Sequence, residues 1–185
     1  MSHTALVLVD IQNDYFDNGR WPVNKMLEVS ENAARLLEHA RKNGHSVIHI
    51  RHEILSEDPP FFKPGTSGAE IHKSVSPQAG EPVILKHRPN SFQNTGLRKH
   101  LDDSGTSDVV ICGAMSQMCI DSTARAAADY GYAVTVVEDA CGAKEQVFDG
   151  QEVGALQVHA AFMAPLAMSY ASVITCEIYL MENIL

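Results

Sequence analysis

An open sheet of parallel strands, wound with helices on both faces, is the α/β architecture this sequence predicts. Short apolar runs of four to six residues alternate with longer segments of helical spacing. The first run, Thr4–Val9, is apolar from Ala5 onward rather than at every second position, the mark of a strand buried on both faces. A chain of 185 residues with 45% hydrophobic content is long enough to bury a full core, and one domain over residues 1–185 is expected.

The elements follow in order. After the first strand comes a polar and aromatic loop, Gln12–Pro22. From Asn24 to Asn43 the residues Met26, Leu27, Val29, Ala33, Leu36, Leu37 and Ala40 recur at helical spacing, and Asn43-Gly44 supplies the stop. Ser46–Ile50 is a second strand. The stretch Glu53–Gly80 holds prolines, glycines and Phe61-Phe62 without periodicity, and a loop of that length in a compact domain is usually functional or a lid. Pro82–Leu85 is a third strand ending at Lys86, and Leu97–Ser104 a short helix. Asp108–Cys112 is a fourth strand, and Gln117–Tyr130 a helix stopped by Gly131. Ala133–Val137 is the fifth strand, Gly150–Ala167 a helix, and Ser172–Thr175 the sixth strand. An apolar segment, Ile178–Leu185, closes the chain.

Composition excludes several classes of function. A net charge of −9 weighs against nucleic acid and anionic membranes as partners, because both select a basic footprint. The longest apolar runs are single strands, too short to span a bilayer. Without a basic-then-apolar leader, a cytoplasmic location is expected. The cysteines at 112, 119, 141 and 176 lack paired or zinc-ribbon spacing and read as reduced thiols. The loop after the first strand has neither a glycine-rich phosphate fingerprint nor a phosphate-binding lysine, so a nucleotide site is not expected.

In open parallel sheets ligands collect at the carboxyl ends of the strands, so reactive residues are sought there. Three stand out: Asp10 after the first strand, Lys86 after the third, and Cys119 beyond the fourth. Cys119 falls at the start of a predicted helix, where unpaired amides favour thiolate over thiol, and a nearby lysine would lower the thiol pKa further. An aspartate can accept the thiol proton and return it to a leaving group. The loop Gly113–Met118 can offer backbone amides to an oxyanion. The plainer reading is also open: a small buried hydrophobe at 119, a turn aspartate and a solvated lysine.

The blocks that contain these residues resemble the isochorismatase-like cysteine hydrolase superfamily, which includes nicotinamidases, N-carbamoylsarcosine amidases and streptothricin hydrolases. The resemblance runs through ALVLVDIQNDYF (Ala5–Phe16), FKPGTSGAEIH (Phe62–His72), EPVILKHRPNSFQNTGL (Glu81–Leu97) and the block Val109–Ala143, and so covers nearly the whole chain. It implies a three-layer, doubly wound, Rossmann-like fold with six parallel strands. Asp10 becomes general base and acid, Lys86 the orienting cation and Cys119 the nucleophile. It further implies a cis peptide at Ala114-Met115, which would aim amides of Met115 and Cys119 at an oxyanion. The family also commonly forms dimers or larger homo-oligomers.

Two departures narrow the function. Nicotinamidases carry an Asp-x-His metal motif after the second strand, whereas this chain has His49-Ile50-Arg51-His52-Glu53. Neither metal nor other cofactor is therefore expected, although His52, Glu53 and His72 remain. Second, Met115-Ser116-Gln117 replaces a threonine-containing version of the turn. Phe16, Trp21, Phe62 and Phe92 are the candidate walls for a small planar or partly apolar substrate. The expected activity is hydrolysis of a small-molecule C–N bond through a thioester. The alternatives are a vinyl-ether hydrolase using Asp10 as the acid, or a non-catalytic oligomeric binding protein on the same scaffold.

Overall fold

A computed structural model describes residues 3–182. Its core is a sheet of six strands, all parallel: β1 (Thr4–Val9), β2 (Ser46–His52), β3 (Val83–Lys86), β4 (Asp108–Ala114), β5 (Ala133–Gly142) and β8 (Ser172–Ile174). The spatial order is β3-β2-β1-β4-β5-β8, so the winding direction reverses between β1 and β4. That reversal opens a crevice at the carboxyl ends of these two strands, the place where such folds bind ligands.

Strand periodicity explains the two cores. Leu6 and Leu8 of β1, with Val110 and Cys112 of β4, face one side. There α1 (Met26–Lys42) lays down Met26, Val29, Ala33, Leu36, Leu37 and Ala40, and α5 (Cys176–Glu182) adds Cys176 and Tyr179. Ala5, Val7 and Val9, with Val109 and Ile111, face the other side. They pack under α2 (Leu97–Asp103), α3 (Asp121–Asp129) and α4 (Ala155–Ser169), which contribute Leu97, Leu101, Ala124, Ala127, Met163 and Leu166. Every interior residue of a central strand thus meets a helix layer, which is why these segments read as continuous apolar runs.

The structure departs from the sequence reading at three places. Residues 146–153 form an antiparallel hairpin, β6 (Gln146–Phe148) and β7 (Gln151–Val153), and α4 begins only at Ala155 rather than near Gly150. Asp149 and Gly150 both have positive φ, the backbone that a two-residue hairpin turn requires. The helix expected from Gln117 starts instead as a π turn, Ser116–Ile120, before α3 proper. The segment 53–80 is pinned down rather than loose: Asn13 N donates to Glu70 O, His72 N to Ile11 O, and Phe62 N to the Asp14 carboxylate at 2.7 Å. The terminal segment Ile178–Leu185 lies partly outside the described residues; up to Glu182 it is helical. No helix among the described residues is long and apolar enough to cross a membrane.

Candidate active site

Each polar group of the crevice is delivered by the end of a strand. Asp10 follows β1 with a φ of 52°, a left-handed conformation uncommon for a residue with a side chain. Its amide donates to Ile50 O, and the carboxylate is completely buried. His52 closes β2 and stands in register with Lys86, the last residue of β3. Lys86 is two strands away from β1, roughly 10 Å at the usual spacing. Its long side chain crosses that gap to set Nζ 2.9 Å from Asp10 Oδ2, and it donates to Pro89 O at 2.7 Å. The loop holding Pro89 is fastened to α3, since Ser91 N donates to Thr123 Oγ1 and the two hydroxyls are 2.9 Å apart.

Cys119 arrives from β4 through a turn that only one residue type permits. Gly113 has a φ of 127°, and a Cβ there would stand 1.9 Å from Val9 O, so glycine lets β4 run tight against β1 as the chain turns. The Ala114–Met115 peptide is cis. Met115 O then accepts from the amides of Met118 and Ile120, which closes the π turn under Cys119. The ligating atoms of Asp10, His52 and Cys119 all lie within 4.8 Å of one another. Asp10, Lys86 and Cys119, the three residues singled out in the sequence, meet at one point.

Electrostatics set the protonation states. Burial alone would raise the Asp10 carboxyl, but the Lys86 ammonium, and after it His52, more than offset this and hold it below the usual carboxylate range. Burial likewise opposes the charge on Lys86, and the Asp10 carboxylate overcomes it. For Cys119 the balance falls the other way: burial pushes the thiol up, Asp10 pushes it further, and Lys86 only partly compensates. This corrects the thiolate expected from the sequence. The resting site holds a carboxylate, an ammonium and a thiol, because burial disfavours the thiolate first and the Asp10 carboxylate opposes a second negative charge beside it.

The aromatic candidates separate. Phe16 is half-buried and stacks on His72 with centroids 3.7 Å apart, and Trp21 is half-buried against Phe61. Phe62 is not a wall but core. It has no exposed surface, lies 4.5 Å from the Tyr15 ring, and is locked by the Asp14 bond to its amide. Phe92 is also buried, packed on Tyr130 in the same apolar cluster that contains Cys119, and has little surface to offer a ligand.

Sequence reasoning missed Gln12 and undervalued His52. Gln12 is fully buried and acts as an extra peptide group: its Oε1 accepts from His52 N at 2.8 Å, and its Nε2 donates to His52 O at 2.9 Å and Ala69 O at 2.8 Å. This fixes the end of β2 and leaves the His52 ring with Nδ1 3.7 Å from Asp10 Oδ2. The signal was the position of His52 after an apolar run, the same signal that marked Asp10. Glu53 and His72 are engaged elsewhere, with Arg51 and with Phe16 and Ser74. Asp10, His52 and Cys119 are metal-ligating residue types, but the set does not suit a divalent ion. Lys86 already sets a positive charge 2.9 Å from the oxygen that would have to bind it.

Comparison with known proteins bears on this geometry. A family model described as "Isochorismatase domain" matches residues 4–175. An uncharacterised isochorismatase family protein of Bacillus subtilis, YddQ, is 47% identical over 177 residues, covering 96% of this chain and 98% of its own. A streptothricin hydrolase of Streptomyces noursei is 34% identical over 136 residues, covering 74% of this chain and 48% of its own. A solved structure from Oleispira antarctica, described as an isochorismatase hydrolase, superposes with a TM-score of 0.93 at 46% identity, covering 96% of each chain.

Proposed function

This chain is a hydrolase of the isochorismatase family, and we propose that it cleaves a C–N amide bond of a small molecule through a thioester on Cys119. The observation that supports this reading is the convergence of a buried carboxylate, a buried ammonium and a thiol at the β1/β4 crevice. The streptothricin hydrolase similarity supports the hydrolase class, and the site's groups support the amide chemistry.

The protonation states dictate the order of events. Asp10 is ionised and Cys119 is not, so sulfur becomes nucleophilic only as its proton leaves for Asp10. Proton transfer therefore accompanies formation of the C–S bond. The carbonyl oxygen takes up the negative charge, facing backbone amides of Met115 and Cys119 in the turn after the cis peptide; such donors contribute about 2.7–4 kcal/mol each. Asp10 then hands its proton to the departing nitrogen, the C–N bond breaks, and ammonia or an amine leaves. Water attacks the thioester as Asp10 takes one of its protons. Collapse forms the carboxylic acid and expels sulfur, which recovers that proton. Lys86 stays charged throughout and keeps Asp10 in its basic form between steps.

A panel of small amides screened for ammonia release, with intact mass to trap the acyl adduct, tests the reading. Cys119→Ala is expected to abolish release and the adduct while leaving thermal stability nearly unchanged. Turnover that survives this substitution, or pyruvate release from a vinyl ether without ammonia from any amide, would overturn it.

A further inference from the structure

A hydrogen-bonded array outside the reacting groups reaches the same turn from β5 and α4. Ser116, fully buried, follows the cis peptide and opens the π turn that carries Cys119. Its Oγ lies 3.1 Å from Gly142 O and 2.9 Å from His159 Nδ1. On the far side of the imidazole, Nε2 lies 3.3 Å from Glu138 Oε2. Lys25, which precedes α1, Glu28 of α1, and Asp139 and Cys141 of β5 line a cavity that His159 also borders, so the ring stands at a cavity wall rather than deep in the packed core.

Counting hydrogens fixes the roles. A carboxylate only accepts, so Nε2 must carry the hydrogen that meets Glu138. The Gly142 carbonyl also only accepts, so the single Ser116 hydrogen is claimed by both Gly142 and Nδ1. With a neutral ring, Ser116 donates to Nδ1. With a charged ring, Nδ1 donates to Ser116, whose own hydrogen then goes to Gly142. In the neutral ring Glu138 selects the tautomer, and in either state His159 holds the hydroxyl.

We propose that His159, oriented by Glu138, is a positioning residue for the Cys119 turn and acts on it through the Ser116 hydroxyl. The expected effect on turnover rests on the amide-hydrolase reading; the effects on the ring and on the thiol do not.

His159→Phe and Ser116→Ala, alone and combined, test this with kcat and KM on an amide that the enzyme turns over. The rate of Cys119 alkylation by iodoacetamide, followed by peptide mass, provides a second measure. Each single variant is expected to lower kcat about tenfold or more with KM within about twofold, since small misplacements at a reacting centre are costly. Each should also slow alkylation at least about threefold. The double variant is expected to be no worse than either single one, because both cut one path. Ser116→Thr, which keeps the hydroxyl, should restore both rates. Nitrogen-15 NMR of the wild-type ring should show hydrogen on Nε2. Additive losses, a change confined to KM, failure of the threonine rescue, or a ring with hydrogen on Nδ1 and none on Nε2 would overturn the assignment. If no amide is turned over, the alkylation rates and the tautomer still decide it. If His159→Phe does not fold, the Ser116→Ala and Ser116→Thr pair does so.

Discussion

The second strand carries two histidines beside carboxylates and cations, one cluster toward each end of the sheet, and they are built to opposite rules. Toward the amino end, the Glu81 carboxylate accepts from Arg41 Nε at 2.7 Å, from the Arg41 terminal nitrogen at 2.8 Å and from Gln78 N at 2.8 Å, with His49 Nε2 3.0 Å away. Each Glu81 oxygen is well bonded. At the carboxyl end, Asp10 is more deeply buried, and its neighbours are the groups of the site itself: Lys86 Nζ 2.9 Å from Oδ2, His52 Nδ1 3.7 Å from the same oxygen, and the Cys119 thiol. Lys86 divides its three ammonium hydrogens, donating to Pro89 O at 2.7 Å and standing 2.9 Å from Asp10 Oδ2. A carboxylate gripped by a guanidinium and a backbone amide is fixed in place, whereas a buried one set among an ammonium, an imidazole and a thiol is equipped to exchange a proton.

The sharpest break in this comparison is expected from Asp10→Asn, which removes the base but keeps the shape. It should cut kcat/KM by about a thousandfold, within the usual range for general acid–base groups. A smaller loss would move Asp10 into the structural class of Glu81. Lys86→Met comes next. Without the ammonium, burial is the main influence left on Asp10 and pushes its carboxyl up. Wild-type activity should persist as pH falls through the ordinary carboxylate range and fail only below it. In Lys86→Met the acid limb of the pH–rate profile should move upward, with activity at neutral pH down by about a hundredfold or more.

Glu81→Gln should do the reverse, leaving kcat/KM within about twofold and costing stability. The guanidinium of Arg41 holds the Glu81 carboxyl down at about 2, against an ordinary 4.5. The stabilisation is therefore complete above pH 4.5 and disappears as pH falls toward 2. At neutral pH the substitution should cost about 2 kcal/mol in denaturant unfolding, less than the full shift at ~1.4 kcal/mol per unit because water partly reaches the pair. The smallest effect is expected at an exposed pair, Lys25 and Glu28, 3.1 Å apart at the start of α1. Glu28→Ala should change stability by less than about 0.5 kcal/mol and leave the kinetics untouched.

Much of the fold was legible because its central strands are buried on both faces, and such strands announce themselves as unbroken apolar runs. The hairpin at 146–153 was legible as well, in Asp149-Gly150 between two short polar-apolar segments, but the turn glycine was read as a helix start. For the site, residues that follow apolar runs were found, and those reached through a long connection were not. Gln12 sits in a loop whose partners, Ala69 and His52, are 57 and 40 positions away. The Ser116–His159 contact spans 43. No local pattern records pairings at such distances.

The order of strands and helices along the chain and the reactive residue types at strand ends follow from the chain alone, because each depends on neighbours within a few residues. Which aromatic rings are core, which carboxylate is gripped by a guanidinium and which faces a thiol, and that Cys119 rests as a thiol were decided only by tertiary packing. These properties are balances between desolvation and distant charges, and both quantities come into being when strands far apart in sequence close over the same few atoms.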